Sequence, residues 1–188
     1  IRIEEKDENG IGEIVAQGPN VMQGYYNQPE ETAKAIVDGW FYTGDLGKID
    51  SKGNLIITGR KKNVIVLKNG KNVFPEEIEE MIMKLPYVSE CMMFTREKHN
   101  ELVLWCEIVY EPALLEEENI TREQLAARFA KDLADINDIL PKYKHINHFI
   151  MSEEPMIKTT TQKVKRRAEV DKIYKQWDDE KCYNTIMK

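Results

Sequence analysis

The first third of the chain alternates short apolar runs with glycine and polar turns, which predicts a β-rich segment with one short helix. The run GEIVAQG predicts a strand, and PEETAKAIV predicts a helix with Pro29 near its start. The runs LGKID and NLIITG lie on either side of Gly53 and predict a β-hairpin. Residues 1–58 are few for an independent core, so the pattern indicates the end of a larger domain.

The pattern changes after residue 60, and the rest of the chain predicts a second unit. Two β-branched runs flank Asn69 and Gly70, which predicts a hairpin with positive φ at both turn residues. Pro75 opens an amphipathic helix, and Thr121 with Gln124 forms a capping-box pattern ahead of another. The remaining apolar runs predict strands at 88–95 and 101–110, a return strand at HINHFIM and a last helix in KVKRRAEVDKIYKQW.

The order of elements after residue 60 is hairpin, helix, strand, strand, helix, strand, helix. Such an order predicts a compact α+β domain over residues 61 to about 178. The predicted fold class is therefore α+β, with a hairpin and a small mixed sheet packed by helices, preceded by the β-rich segment.

Composition and charge narrow the function classes. The chain has 188 residues, of which 41% are hydrophobic and 32% charged, and its formal net charge is −6. This is a globular composition, and its acidic balance argues against a general nucleic-acid binder. No apolar run reaches the roughly 20 residues of a membrane span, and no secretory signal opens the chain. Because the chain starts without Met, we expect it to be a piece of a longer protein.

Cysteines and histidines predict neither a disulfide framework nor a metal site. Cys91, Cys106 and Cys182 are odd in number, widely spaced and without a C-x-x-C pair. We expect free thiols in a reducing cytosol, with Cys91 and Cys106 buried in strands, and therefore a cytoplasmic protein. His145 and His148 have no partner at zinc-site spacing, so no metal ligand is expected here.

Three polar features are candidates for chemistry, and each has a plainer alternative. Asp45 in TGD is either a turn residue or an acceptor for two adjacent hydroxyls, such as a ribose diol. The run Arg60, Lys61 and Lys62 is either a solvated charge run, or Arg60 faces an anion or ribose while Lys62 lies at a pivot between two modules. The change of pattern here favours a boundary and not the pivot. Lys163 lies in a basic cluster at the predicted start of the last helix, where cations oppose the helix dipole. An anionic ligand or acidic neighbours would account for that cluster.

Three blocks of sequence then combine into a specific resemblance. The blocks GEIVAQGPNVMQGYYNQPEETAKAIVDGWFYTGD, GRKKNVIVLKNGKNVFPEEIE and KTTTQKVKR occur in this order. Together they resemble the C-terminal part of the adenylate-forming superfamily, which contains acyl-CoA synthetases, firefly-luciferase-type enzymes and peptide-synthetase adenylation domains. The resemblance spans nearly the whole chain, and its last block is most similar to bacterial long- or medium-chain fatty acid–CoA ligases.

The resemblance implies a two-step reaction. A carboxylic acid attacks the α-phosphate of MgATP to give an acyl-adenylate and pyrophosphate, and the thiol of coenzyme A then displaces AMP. It also implies that residues 1–59 end the large N-terminal AMP-binding domain, that residues 60–62 are a hinge and that residues 63–188 are a mobile C-terminal domain. The ligands of Mg²⁺, the phosphate loop and the acyl pocket belong upstream, so this piece alone is expected to be inactive.

Roles for individual residues follow from the same resemblance. Asp45 would bind the ribose hydroxyls of ATP or AMP, and Arg60 would contact ribose or phosphate. Lys62 would be the hinge residue. The hairpin with Gly70 and Lys71 would line the pantetheine tunnel of coenzyme A in the second pose, where a backbone without Cβ permits close approach.

Lys163 stands where the family has its adenylation lysine, and the resemblance implies that it bridges the substrate carboxylate and the phosphates. Two departures surround it. Gln162 replaces the glycine that usually precedes this lysine, and Ile157 replaces the usual proline at the start of the block. Lys158 and Lys165 are the neighbouring alternatives for the role.

Other functions stay open at this point. The acceptor of the acyl group could be a carrier-protein pantetheine, as in peptide-synthetase adenylation domains, although no carrier serine motif follows. A non-catalytic module that binds RNA or anionic lipid through the basic cluster is a different class, and the acidic total weighs against it. A degenerate synthetase with a structural role is a third. Peripheral membrane association through a fatty acyl substrate is also left open.

Overall fold

The computed structural model describes residues 1–98, 100–176 and, as backbone alone, 184–185, so Cys182 lies outside the described residues. The chain divides into two compact units, Ile1–Val64 and Ile65–Lys188. Each unit is described by itself.

The first unit is an antiparallel sheet with one short helix. Its elements are β1 (Arg2–Glu4), β2 (Gly12–Ala16), α1 (Pro29–Ala35), β3 (Ile36–Val37), β4 (Trp40–Ile49) and β5 (Leu55–Arg60). The strand order is β1-β2-β4-β3, and β5 pairs with the long strand β4. This pairing confirms the predicted hairpin around Gly53 and places Asp45 directly opposite Arg60.

The second unit holds the larger core. Its elements are β6 (Ile65–Val66), β7 (Asn72–Val73), α2 (Pro75–Ile82), β8 (Glu90–Lys98), β9 (Glu101–Val109), α3 (Ala113–Glu117), α4 (Arg122–Ile139), β10 (His148–Ser152), α5 (Arg166–Gln176) and β11 (Asn184–Thr185). The sheet has the order β11-β10-β9-β8, and only the pair β10–β9 is parallel. The mixed sheet and its helices confirm the predicted α+β class. The short helix α3 and the strand β11 were not predicted.

The pleat of β8 and β9 sends alternate side chains to two apolar clusters. One cluster contains Met93, Ile108 and the buried residues of α2 and α4, such as Ile78 and Phe129. The other contains Met92, Phe94, Trp105, Val109, Ile150 and, from α5, Ile173. The sheet therefore has a helix pair against one face and α5 against the other.

Local signals fixed the starts of two helices as predicted. Pro75 is the first residue of α2. Thr121 and Gln124 form the complete capping box of α4, in which the Thr121 hydroxyl accepts from the Gln124 N–H and the Gln124 side chain accepts from the Thr121 N–H.

Within the described residues, four loops share one turn, in which the first residue pairs with the fifth and also accepts from the N–H of the fourth. They are Asp7–Ile11, Asp50–Asn54, Leu67–Lys71 and Thr159–Lys163, with N···O distances of 2.8 to 3.0 Å. Such a loop needs positive φ only at its fourth residue. That residue is Gly10, Gly53 and Gly70 in the first three loops and Gln162 in the last, where φ is +61°. The prediction of positive φ at Asn69 was therefore wrong, because the loop has three residues and not two.

Candidate functional site

The two residues assigned to the nucleotide form an ion pair across β4 and β5. The Arg60 Nε lies 2.7 Å from the Asp45 Oδ1, and the two side chains remain 44% and 31% exposed. A carboxylate has about four lone-pair positions, so one bond to Arg60 leaves Asp45 able to accept from further hydroxyls. The pair is accessible and pre-oriented, as a binding site for a ribose requires.

The backbone around Asp45 is held by a buried carboxylate. Gly44 has a φ of +70°, and its N–H donates to the Glu13 Oε1 at 3.1 Å. The other carboxylate oxygen of Glu13 accepts from the Lys61 Nζ at 2.7 Å. The hydrogen bonds that Lys61 donates, first to Glu13 and then to Glu5, raise the pKa of Lys61. Glu13 therefore ties the TGD turn to the residue that follows Arg60.

The predicted hinge residue differs from its neighbour. Lys61 is tethered to Glu13 and Glu5, whereas Lys62 is exposed and forms no ion pair among the described residues. Lys62 lies in a short 3₁₀ turn, Lys61–Asn63, just before the boundary between Val64 and Ile65. The hinge role of Lys62 stays a prediction.

Gly70 lies at the open tip of the hairpin between β6 and β7. Its φ is +78°, and a Cβ built on it would meet no atom within 4 Å. The glycine is therefore favoured by the backbone conformation, and the space beside its Cα is open. On either side of it, the Lys68 Nζ binds Glu97 and Asn100, and the Lys71 ammonium lies 4.5 Å from the ring centroid of Tyr143.

Lys163 lies on a small hairpin, residues 158–164, which we call the lysine hairpin. A β-bridge joins Lys158 to Val164, and the Thr159 hydroxyl accepts from the Lys163 N–H at 3.1 Å. The Lys163 side chain is exposed, and within the described residues it forms no ion pair. Lys158, one of its rivals, is bound to Glu90 at 2.8 Å. Of these two lysines, Lys163 is the one available to a ligand.

The basic residues at and before the start of α5 differ in their surroundings. Arg166 donates to both oxygens of Glu79, at 2.8 and 2.5 Å, so acidic neighbours account for it. Lys163 forms no ion pair within the described residues and its side chain is exposed, so its ammonium is open to solvent. Sequence reasoning missed Glu79, Glu90 and Glu169, although Glu169 at a helical spacing of four from the apolar Ile173 was a signal.

Comparison with known proteins settles the family. A model of the AMP-binding enzyme C-terminal domain matches residues 62–184. The chain belongs to the AMP-binding enzymes. This result confirms the resemblance that the three sequence blocks indicated.

Relatives of known name in this family are CoA ligases. The long-chain-fatty-acid–CoA ligase heimdall of Drosophila melanogaster is 47% identical over 95 residues, which are 50% of this chain and 14% of that protein. A long-chain-fatty-acid–CoA ligase of Escherichia coli O6:H1 is 37% identical over 135 residues, 70% of this chain and 24% of that protein. The chain thus matches a quarter or less of the length of these AMP-binding relatives.

Solved structures of the family are similar over most of the chain. ATP-bound MatB from Rhodopseudomonas palustris has a TM-score of 0.65 at 30% identity, covering 88% of this chain and 30% of that one. The O-succinylbenzoate coenzyme A synthetase MenE of Bacillus subtilis, with ATP and magnesium, has a TM-score of 0.67 at 27% identity, covering 86% and 30%.

The described part of this AMP-binding chain contains neither a membrane-spanning helix nor a cluster of metal-binding side chains. None of its helices is long and apolar enough to cross a membrane. Nor does it contain a group of three or more His, Cys, Asp or Glu side chains that could hold a metal ion.

Proposed function

We propose that the chain is the C-terminal part of a cytoplasmic AMP-forming acyl-CoA synthetase. A carboxylate oxygen of the acid attacks the α-phosphorus of ATP and pyrophosphate leaves. The thiol sulfur of coenzyme A then attacks the acyl carbon, loses its proton and expels AMP. The names of the relatives support a fatty acid as the substrate. Under this proposal the partners are the acid, MgATP, coenzyme A and the protein's own N-terminal domain, where the ligands of Mg²⁺ are expected.

The observation that carries the proposal is the exposed ammonium of Lys163, the last residue of the loop of the lysine hairpin, which forms no ion pair within the described residues. Adenylation brings a carboxylate and a polyphosphate together, and a positioned cation stabilises the charge that builds up between them. The ion pairs of Lys158 and Arg166 remove those residues from this task, whereas the exposed Lys165 is distinguished from Lys163 by the family resemblance alone.

Asp45 and Arg60 supply the nucleotide end of the proposed site. The accessible carboxylate of Asp45 suits the two ribose hydroxyls, and Arg60 holds it in place. Because the Asp45–Arg60 pair lies opposite in register on β4 and β5, both roles come from one rigid hairpin.

Gly70 serves the second step in this proposal. Residues 60–62 act as the hinge, with Lys62 at the pivot, and residues 63–188 form the moving domain. The clear tip at Gly70, with Lys71 beside it, then approaches the pantetheine arm of coenzyme A. The adenylation lysine and the thioester hairpin are thus two different parts of one domain.

The test separates the two half-reactions in the full-length protein. Lys163→Ala should lower acid-dependent ATP–pyrophosphate exchange by about 10² to 10³-fold, while preformed acyl-adenylate still reacts with coenzyme A. Gly70→Leu should slow the reaction of acyl-adenylate with coenzyme A and leave acid-dependent ATP–pyrophosphate exchange intact. Gly70→Asn is the matched control, because Asn tolerates positive φ and adds less bulk.

The proposal is wrong if the wild-type protein shows no acid-dependent exchange, and the Lys163 assignment is wrong if Lys163→Ala leaves exchange intact. Equal losses in both half-reactions for Gly70→Leu would remove the tunnel role of Gly70. Running the second step with coenzyme A and with a pantetheine-bearing carrier protein decides between the two acceptors.

A further inference from the structure

The base of the lysine hairpin is held by two carboxylates that come from different elements. The Met156 N–H donates to the Glu90 Oε2 at 3.3 Å, and the Lys158 Nζ donates to the Glu90 Oε1 at 2.8 Å. Between them, the Ile157 N–H donates to the Glu169 Oε2 at 2.5 Å. Three consecutive residues are therefore fixed by Glu90 of β8 and Glu169 of α5.

Both carboxylates are anchored away from solvent. The Glu169 side chain is 0% exposed, and its second oxygen accepts from the Lys172 Nζ at 2.9 Å. The Glu90 side chain is 18% exposed and belongs to the long strand β8. Hydrogen bonds to ionised groups are roughly twice as strong as neutral ones, so this is a firm attachment.

The other arm of the hairpin depends on the same base. The Lys165 N–H donates to the Ile157 carbonyl at 2.8 Å, and the Thr159 N–H donates to the Lys163 carbonyl at 2.8 Å. Beyond these bonds, residues 160–163 are exposed. The direction in which the Lys163 side chain points is therefore set by the base of the hairpin.

We propose that Glu90 and Glu169 are positioning residues for Lys163, acting through the base of the lysine hairpin. The effect of this positioning on catalysis rests on the proposed function, in which Lys163 is the adenylation lysine. Neither carboxylate needs to touch a substrate, because both are already committed to backbone N–H groups and to Lys158 or Lys172.

Burial makes the Glu169 carboxyl costly to keep, even with its ion pair to Lys172. It lies beside Glu107, whose pKa is raised to about 8 by burial and then by the charge of Glu169. Burying two neighbouring carboxyl groups under α5 carries a desolvation cost, which a well-packed apolar residue would avoid. Holding the Ile157 N–H is the task that an apolar residue cannot perform.

The kinetic test uses four variants of the full-length protein. Glu90→Ala and Glu169→Leu should each lower the kcat of acid-dependent pyrophosphate exchange by about 10 to 10²-fold, because misplacement of about 1 Å has that effect. The KM for ATP and the reaction of preformed acyl-adenylate with coenzyme A should change about two-fold or less. Glu90→Gln keeps an acceptor for the Met156 N–H and should lose less than Glu90→Ala.

Glu77→Ala is the matched control, since it breaks an ion pair of similar length, 2.6 Å to Lys144, that does not contact the lysine hairpin. It should leave both half-reactions unchanged. Equal losses of both half-reactions in Glu90→Ala and Glu169→Leu, or losses in Glu77→Ala as large as theirs, would overturn the positioning role.

Amide hydrogen exchange gives a second readout that does not depend on activity. The amides of Thr159 and Lys165, both hydrogen-bonded in the hairpin, should exchange faster in Glu90→Ala and Glu169→Leu than in the wild type or Glu77→Ala. Unchanged protection in both variants overturns the proposal. If wild-type protein lacks pyrophosphate exchange, the proposed function fails, and the amide protection still decides whether these carboxylates hold the hairpin.

Discussion

Replacing the buried Glu107 by Gln should remove a pH dependence of stability. Glu107 lies on β9, is 1% exposed, and faces Glu169 and Lys172 of α5 as well as Glu90 of β8. Its Oε2 has no hydrogen-bond partner among the described residues. Burial, followed by the charge of Glu169, raises the pKa of Glu107 from 4.5 to about 8. The folded protein therefore keeps this carboxyl protonated near neutral pH.

The sign and size of this pH dependence follow from the pKa of Glu107 in the unfolded and in the folded protein. Between pH 4.5 and about 8 the unfolded chain loses the Glu107 proton while the folded chain retains it. The free energy of unfolding should then fall as pH rises through this window, by at most about 1.4 kcal/mol per pH unit and about 5 kcal/mol in all. Glu107→Gln stays neutral in both states, so this contribution disappears and the variant gains on the wild type as pH rises.

Urea unfolding across this pH window, followed by circular dichroism, measures the difference. Glu101→Gln is the control, because Glu101 is an exposed glutamate on the same strand. The curve of the Glu107→Gln variant should diverge from that of the wild type toward pH 8, whereas that of Glu101→Gln should run parallel to the wild type. Parallel curves for wild type and Glu107→Gln would refute the reasoning, since they would mean that Glu107 ionises alike in both states.

Two further substitutions test the local geometry. Gln162→Gly should raise the free energy of unfolding by about 1 kcal/mol, because Gln162 has a φ of +61°, which is unfavourable for an L-residue. A lower urea midpoint in the variant would instead show that the Gln162 side chain stabilises the lysine hairpin. Thr121→Ala should lower that free energy by about 1 kcal/mol by removing the capping box of α4, and an unchanged urea midpoint would contradict this.

The parts of the fold that the sequence predicted are governed by near neighbours in the chain. Pro75 starts α2 because its ring suits the first turn of a helix. Thr121 and Gln124 are three residues apart and complete their hydrogen bonds within one turn. The apolar runs at 88–95 and 101–110 predicted β8 and β9 because both strands bury residues on two faces. Asp45 and Arg60 could be named singly, but their pairing required the register of β4 and β5.

The parts that were not predicted depend on partners far away in sequence. Glu90 and Lys158 are 68 residues apart, and Glu79 and Arg166 are 87 residues apart. No local pattern distinguishes such carboxylates from solvated ones, because their role is set by where the strands and helices meet. The turn at Gln162 was hidden for a different reason, since the other three loops of its kind carry glycine at that position.

Arg166 connects the elements that carry the two hairpins of the second unit, through ion pairs with Glu79 and Glu76 of α2. The hairpin of Gly70 leads through β7 directly into α2, and the lysine hairpin leads directly into α5. Glu79 of α2 binds Arg166, the first residue of α5, and both also bond to the backbone of Met93 on β8, at 2.6 and 3.3 Å. The two side chains are 12% and 25% exposed, and loss of one partner of a buried pair costs about 3–5 kcal/mol. The Gly70 and Lys163 hairpins are therefore linked within the second unit through the contact of α2, α5 and β8.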